Sequence, residues 1–146
     1  MAAPKEPVTF VRCGRTVIGP GEPILIPPDV GNVGYEGELA AVIGRRALRV
    51  SRDDAMRCIA GYTVHNDVSG SDLVKQDGGN FVRGKNLPAS APLGPALISA
   101  DELPDPYGVG IRCEMNAIKS AMSNSIVRVD PFCSRRPSMS RRMPIP

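Results

Sequence analysis

Glu36 and Glu38 stand two residues apart at the head of a run, Tyr35-Glu36-Gly37-Glu38-Leu39-Ala40-Ala41-Val42-Ile43-Gly44, that reads as a strand. Side chains at i and i+2 of a strand share a face, so the two carboxylates project side by side. Like charges held that close repel, and one is pushed toward protonation unless a cation sits between them. Placing them at the mouth of a buried strand is costly without such a cation. The pair is therefore a candidate for metal ligation. The same spacing also fits the polar face of a solvated strand edge, the commoner setting for exposed carboxylates.

Asp67 lies near the end of a second β-rich segment, residues 62–68, and makes a third hard-oxygen donor. Such donors select Mg²⁺, Mn²⁺ or Ca²⁺ rather than zinc. A divalent ion held by three carboxylates keeps positions open for water and a chelating substrate, and can polarise a bound carbonyl. Lys85, in Gly84-Lys85-Asn86, follows a glycine-rich stretch. Near such an ion it can contact substrate oxygens or steady a developing oxyanion, although a lone lysine is more often a solvated surface group. His65 is the single histidine. It shares a strand face with Asp67 and reads as a base, a supporting group or a structural residue, the last being favoured because nothing nearby forms a nucleophile pair. Ser69 and Ser71 lack a Gly-x-Ser-x-Gly setting, which excludes the usual serine hydrolase.

The elements that must position these groups follow from the pattern along the chain. Residues 8–12 read as a short strand, residues 24–26 as a brief strand between proline turns, and residues 36–43 as the strand bearing the glutamates. Ser51 reads as a helix N-cap with Asp53 and Asp54 in the first turn, an apolar stripe of Ala55, Met56 and Ile59, and Gly61 as the terminating residue. Residues 62–68 follow as a strand, and residues 69–80 as a polar, glycine-rich loop. Residues 81–86 bring the chain back, residues 91–99 form a proline-bounded strand, and residues 109–115 another. Beyond Asn116 the pattern fades, and residues 131–146, rich in Arg and Pro, read as a frayed tail.

Composition bounds the answer. The chain has 146 residues, the size of one domain, with 42% hydrophobic but only 4% aromatic residues and no Trp, so the core must be built from Val, Ile, Leu and Ala. Gly 15 and Pro 15 fit a loop-rich, strand-based fold. Four well-separated cysteines argue against zinc and redox motifs and read as free, mostly buried thiols. Residues 1–113 hold 12 Lys+Arg against 13 Asp+Glu, while residues 114–146 hold 6 against 2. The net charge of +3 thus belongs to the tail, which offers only Phe132 for stacking, and nucleic acid is not the expected partner. No run approaches the roughly 18 apolar residues of a membrane span, and no signal pattern opens the chain. The expected location is cytoplasmic.

Three segments in order, residues 34–44 with Glu36-Gly37-Glu38, residues 60–69 with Asn66-Asp67-Val68-Ser69, and Arg83-Gly84-Lys85 followed by Leu93-Gly94-Pro95, resemble the fumarylacetoacetate hydrolase family over residues 7–116. The resemblance implies an α+β, mostly β fold of the mixed β-roll type, with residues 1–116 as a partial catalytic domain and residues 117–146 as a degraded continuation. It also implies a homodimer and a Mg²⁺ or Mn²⁺, with Ca²⁺ possible, at the positions of Glu36, Glu38 and Asp67. Family members hydrolyse, decarboxylate or isomerise small 2-oxo or 1,3-dicarbonyl acids, hydroxymuconate-type products of aromatic catabolism among them. In each, the metal chelates the oxo-acid end and favours its enolate. Lys85 matches the family lysine that contacts substrate, and Gln76 is the nearest counterpart of a substrate-binding glutamine.

The departures are specific. The family's upstream His-x-x-Glu, which handles catalytic water, is not found in residues 1–30. Ser71 stands where the family has Arg, and Val74 stands at the expected Gln position, with Gln76 two residues on. The later Asn-Gly…Thr pattern is reduced to Asn116-Ala117 and Ser125. The expectation is thus a member shortened at both ends. It is either a metal-dependent enzyme whose enolisation outlasts its hydrolysis, or an impaired copy retaining metal binding or a dimer-forming role.

Overall fold

In the computed structural model, which describes residues 6–115 and 127–130, residues 6–13 run without strand pairing. A tight helical turn at Gly14–Thr16 leads into β1 (Val17–Ile18), and the prolines that follow keep residues 23–27 out of any sheet. The strands expected at 8–12 and 24–26 are therefore not formed. The alternation within the first nonetheless persists. Phe10 and Arg12 turn inward while Val11 is 81% exposed.

Next come β2 (Val33–Gly34) and β3 (Gly37–Ile43), then α1 (Arg52–Ala55) and β4 (Ile59–Asn66). Ser51 caps α1 as expected, its hydroxyl accepting from Asp54 N at 3.1 Å. The helix nonetheless stops early. A tight turn at Met56–Cys58 ends it, and Ile59 and Gly61 belong to β4 rather than to a helix and its terminator. The reason is tertiary. β7 (Ile98–Ser99) crosses the edge of β4 so closely that a Cβ on Gly61 would lie 2.3 Å from Ile98 O. The glycine is needed for strand contact, not for a helix end.

β5 (Ser69–Gly70) pairs with β2, and α2 (Ser71–Gln76) occupies half of the stretch expected to be a loop. Leu73 anchors that helix by burying in a cluster with Val30 and Leu87, with Val33 packed against it. Burying one such side chain is worth about 1.5–3 kcal/mol, enough to hold a short polar helix. α3 (Phe81–Gly84) follows, then β6 (Ala91–Pro92), which pairs with β1 in parallel. The single strand expected over 91–99 is split into β6 and β7. β8 (Arg112–Met115) pairs with β9 (Val127–Asp130), a strand in a region where the sequence showed no period. The tail expectation, residues 131–146, lies outside the described residues.

The result is a mixed α/β fold with more strand than helix. Its main sheet has the order β3-β4-β7 and is antiparallel throughout. β3 and β4 pair over their whole length, with Glu38 opposite His65 and Ala40 opposite Thr63. Among the described residues no helix is long and apolar enough to cross a membrane. Cys13 and Cys58 are free thiols as expected, but Cys13 is exposed and Cys58 only half-buried. Both stand in turns, outside the Val30–Leu73–Leu87 cluster.

Candidate functional site

Strand pairing sets the carboxylates. Beyond the end of β3, Glu36 O accepts from Asp67 N at 2.9 Å, and Glu36 N donates to Asn66 Oδ1 at 3.1 Å. These bonds continue the β3–β4 ladder by one step, so Glu36 lies across from Asp67 as Glu38 lies across from His65. Ligand oxygens of Glu36, Glu38 and Asp67 all come within 4.8 Å of one another. Asp67 is 3% exposed, whereas Glu36 opens to solvent. The site has a buried floor and an accessible rim.

Lys85 reaches the carboxylates from the end of α3. It follows α3 directly, and α3 packs tightly because Gly84 has no Cβ. One built there would meet Val74 Cγ2 at 2.5 Å and Gly70 O at 2.8 Å. That packing buries Lys85 and carries its Nζ to 2.8 Å from Glu36 Oε1 and 2.7 Å from Asp67 Oδ2. The ammonium also lies 5.3 Å from the centroid of Phe10, which stacks on Phe81 at 5.4 Å. Ser69 donates to Glu36 Oε1 at 2.5 Å.

Arg12, from the unpaired N-terminal segment, forms an ion pair with the remaining carboxylate oxygen, Asp67 Oδ1. Burial raises the Glu36 carboxyl, but hydrogen bonds from Lys85 and Ser69 and the charges of Lys85 and Arg12 outweigh it. They hold Glu36 below the usual carboxylate range. Burial lowers Arg12, opposed by the charges of Glu38 and Glu36.

The donor set suits a hard divalent ion. It offers carboxylate oxygens only, all within 4.8 Å of one another. Such convergence, not the presence of acids alone, separates this cluster from a solvated edge. His65 serves a different purpose. Its Nδ1 is 3.0 Å from Pro92 O, which assigns the proton to Nδ1 and turns the ring toward β6. Gln76 sits at the exposed end of α2 and accepts from Arg83 Nη2 at 3.3 Å. A mainly apolar cleft lined by Val11, Cys13, Thr16, Val82 and Pro88 shares no residue with the carboxylates and brings no acid or base cluster to a point.

Sequence reasoning missed Arg12, Ser69 and Phe10 as members of the site. Phe10 and Arg12 are two apart in a segment that sequence reads as a strand, and that spacing alone placed them on one face. Ser69 carried a signal only through its place after Asn66-Asp67-Val68.

Residues 1–130 match the family described as Fumarylacetoacetate (FAA) hydrolase C-terminal. The chain is 39% identical over 127 residues to an oxaloacetate tautomerase of Xenopus laevis described as mitochondrial, covering 85% of this chain and 40% of that protein. A human mitochondrial oxaloacetate tautomerase is 37% identical over the same shares. Among solved structures, a 5-carboxymethyl-2-hydroxymuconate delta-isomerase from Mycobacterium smegmatis shares the fold with a TM-score of 0.72 at 41% identity. That match covers 79% of this chain and 44% of the isomerase. A 2-hydroxyhepta-2,4-diene-1,7-dioate isomerase from Mycobacterium marinum gives 0.72 at 36% identity, over 85% and 46%. The chain thus spans about 40% of the length of the curated relatives it matches.

Proposed function

We propose, for a chain that belongs to the fumarylacetoacetate hydrolase family, a divalent-metal-dependent enzyme acting on small 2-oxo or 1,3-dicarbonyl acids through their enolates. The observation that carries this reading is the convergence of Glu36, Glu38 and Asp67 with Lys85 seated between two of them. Glu36, Glu38 and Asp67 would hold Mg²⁺ or Mn²⁺, with Ca²⁺ as the further hard-cation choice. When bound, such an ion supplies positive charge to the oxygens of an oxo acid and favours the enolate.

The chain's own groups do the rest. Lys85 bonds two carboxylates and directs its ammonium at the floor of the site, where it can steady negative charge on a substrate oxygen. Phe10, backed by Phe81, presents its ring to that ammonium. Tautomerisation and isomerisation move a proton between carbon and oxygen and need no attacking water, so these groups serve enolisation most directly. The names of the relatives, tautomerases and isomerases, support the same choice. Gln76 is proposed to meet the far end of the substrate from α2, and a homodimer is proposed as the working form.

The test is the rate of enol–keto conversion of oxaloacetate with Mn²⁺ added, for the wild type and for Glu38→Ala. A metal-dependent rate that Glu38→Ala lowers by about 100-fold or more, the scale of removing one electrostatic stabiliser, supports the reading. A rate equal to that of Mn²⁺ alone removes it for this chain. Metal binding without turnover would assign the impaired copy instead.

A further inference from the structure

Arg12 takes no part in the proposed chemistry, yet among the described residues it is the most tightly engaged cation outside Lys85. Its side chain is 12% exposed. One guanidinium nitrogen, Nη2, donates to Ser90 Oγ at 2.7 Å and to Ser90 O at 3.2 Å, and Nη1 donates to Val68 O at 3.4 Å. Ser90 is fully buried and fixed in turn by donating to Leu87 O at 2.6 Å. Arg12 Nε is buried with no acceptor among the described residues. The arginine is thus held in place by Ser90 and Val68 rather than left to solvent. What it does meet is Asp67 Oδ1, a carboxylate oxygen of the cation site, in an ion pair.

The charges explain why. Glu36, Glu38 and Asp67 bring −3, and Lys85 and Arg12 bring +2, leaving −1 in the metal-free site. Without Arg12 the balance would be −2 around a carboxylate that is 3% exposed. Resting on the cation-site reading above, we propose that Arg12 is a built-in counter-cation. Seated by Ser90 and Val68 O, its guanidinium holds Asp67 Oδ1 in the metal-free protein and competes with a divalent ion for that oxygen. Arg12 is thus a positioning residue that weakens metal affinity in exchange for a stable empty site. Ser90, 78 residues away in sequence, is the residue that aims it.

The experiment is calorimetric titration of wild type, Arg12→Met and Ser90→Ala with Mn²⁺, beside thermal melting of each with and without the ion. Arg12→Met is expected to bind Mn²⁺ roughly tenfold more tightly, the scale of one nearby charge. Its metal-free melting point should fall, and the rise on adding Mn²⁺ should grow. Ser90→Ala leaves every charge in place but removes the shortest of the bonds that seat the guanidinium, the one to Ser90 Oγ, and is expected to tighten binding by up to a few fold. Unchanged or weaker binding by Arg12→Met, with the wild type still binding, overturns the proposal and leaves the cation site standing. Wild-type affinity in Ser90→Ala beside a tightened Arg12→Met overturns the aiming role of the Ser90 hydroxyl and leaves the backbone carbonyls of Ser90 and Val68 as the seat. Should none of the three bind, the cation site itself falls, and this proposal with it.

Discussion

Arg83 and Lys85 are two residues apart, and both pair with aspartates, but they live in different media. Arg83 bonds Asp77 at 2.9 and 2.7 Å on the open side of α3, with 53% and 28% of the two side chains exposed. Lys85 bonds Asp67 at 2.7 Å with 4% and 5% exposed, and its neighbours are Arg12, Glu36 and Ser69. The two distances are alike, so geometry alone does not tell them apart. Water does. On the open side solvent already satisfies both partners and screens their attraction. On the buried side each charge has been stripped of water, and removing one partner leaves another stranded. Surface pairing on α2 and α3 trims the fold, whereas the buried set is a device whose members need one another.

The sharpest way to break this contrast is Lys85→Met. It leaves Asp67 with Arg12 as its one remaining cation and should cost about 3–5 kcal/mol in the metal-free protein, read from urea unfolding. A loss no larger than that of a surface variant would erase the distinction. Adding Mn²⁺ should return part of the loss, because the ion supplies the missing charge. The next effect is pH-dependent. Glu36 is held below its ordinary value of 4.5, chiefly by Lys85 and Ser69 acting against burial. A carboxyl with a depressed folded-state pKa contributes stability that is complete above the unfolded value and is lost as pH falls through the folded one. Unfolding curves of the metal-free protein between neutral pH and the range below 4.5 should therefore show a loss that Glu36→Gln lacks. The smallest effect belongs to Arg83→Ala. Its urea midpoint should match the wild type, and any small difference should vanish in high salt.

The parts of the molecule that were legible beforehand are those fixed by local chemistry. The period of two at Glu36 and Glu38, the Asp67 strand and the Ser51 cap with its acidic first turn all appear in the structure. What escaped was set by contacts distant in sequence. Gly61 looked like a helix end and is instead a strand residue, because Ile98 arrives against it from a segment far along the chain. Residues 71–76 carry few apolar groups, yet Leu73 finds Val30 and Leu87 and makes a helix of them. Conversely, residues 8–12 have the composition of a strand but no partner to pair with, so only their inward alternation survives. Arg12 was hidden for the same reason. Its meaning depends on Asp67 and Ser90, 55 and 78 residues away, and no spacing rule reaches that far.

The central claim is that the carboxylate cluster is a working cation site shaped for an enolate. Calorimetric titration with Mn²⁺, with and without oxalate as an enolate mimic, tests it most directly beside a Glu36→Ala/Glu38→Ala control. The account predicts saturable binding that oxalate tightens and that the control loses. A folded wild type that takes up no ion, or binds it equally well without the two glutamates, would contradict it.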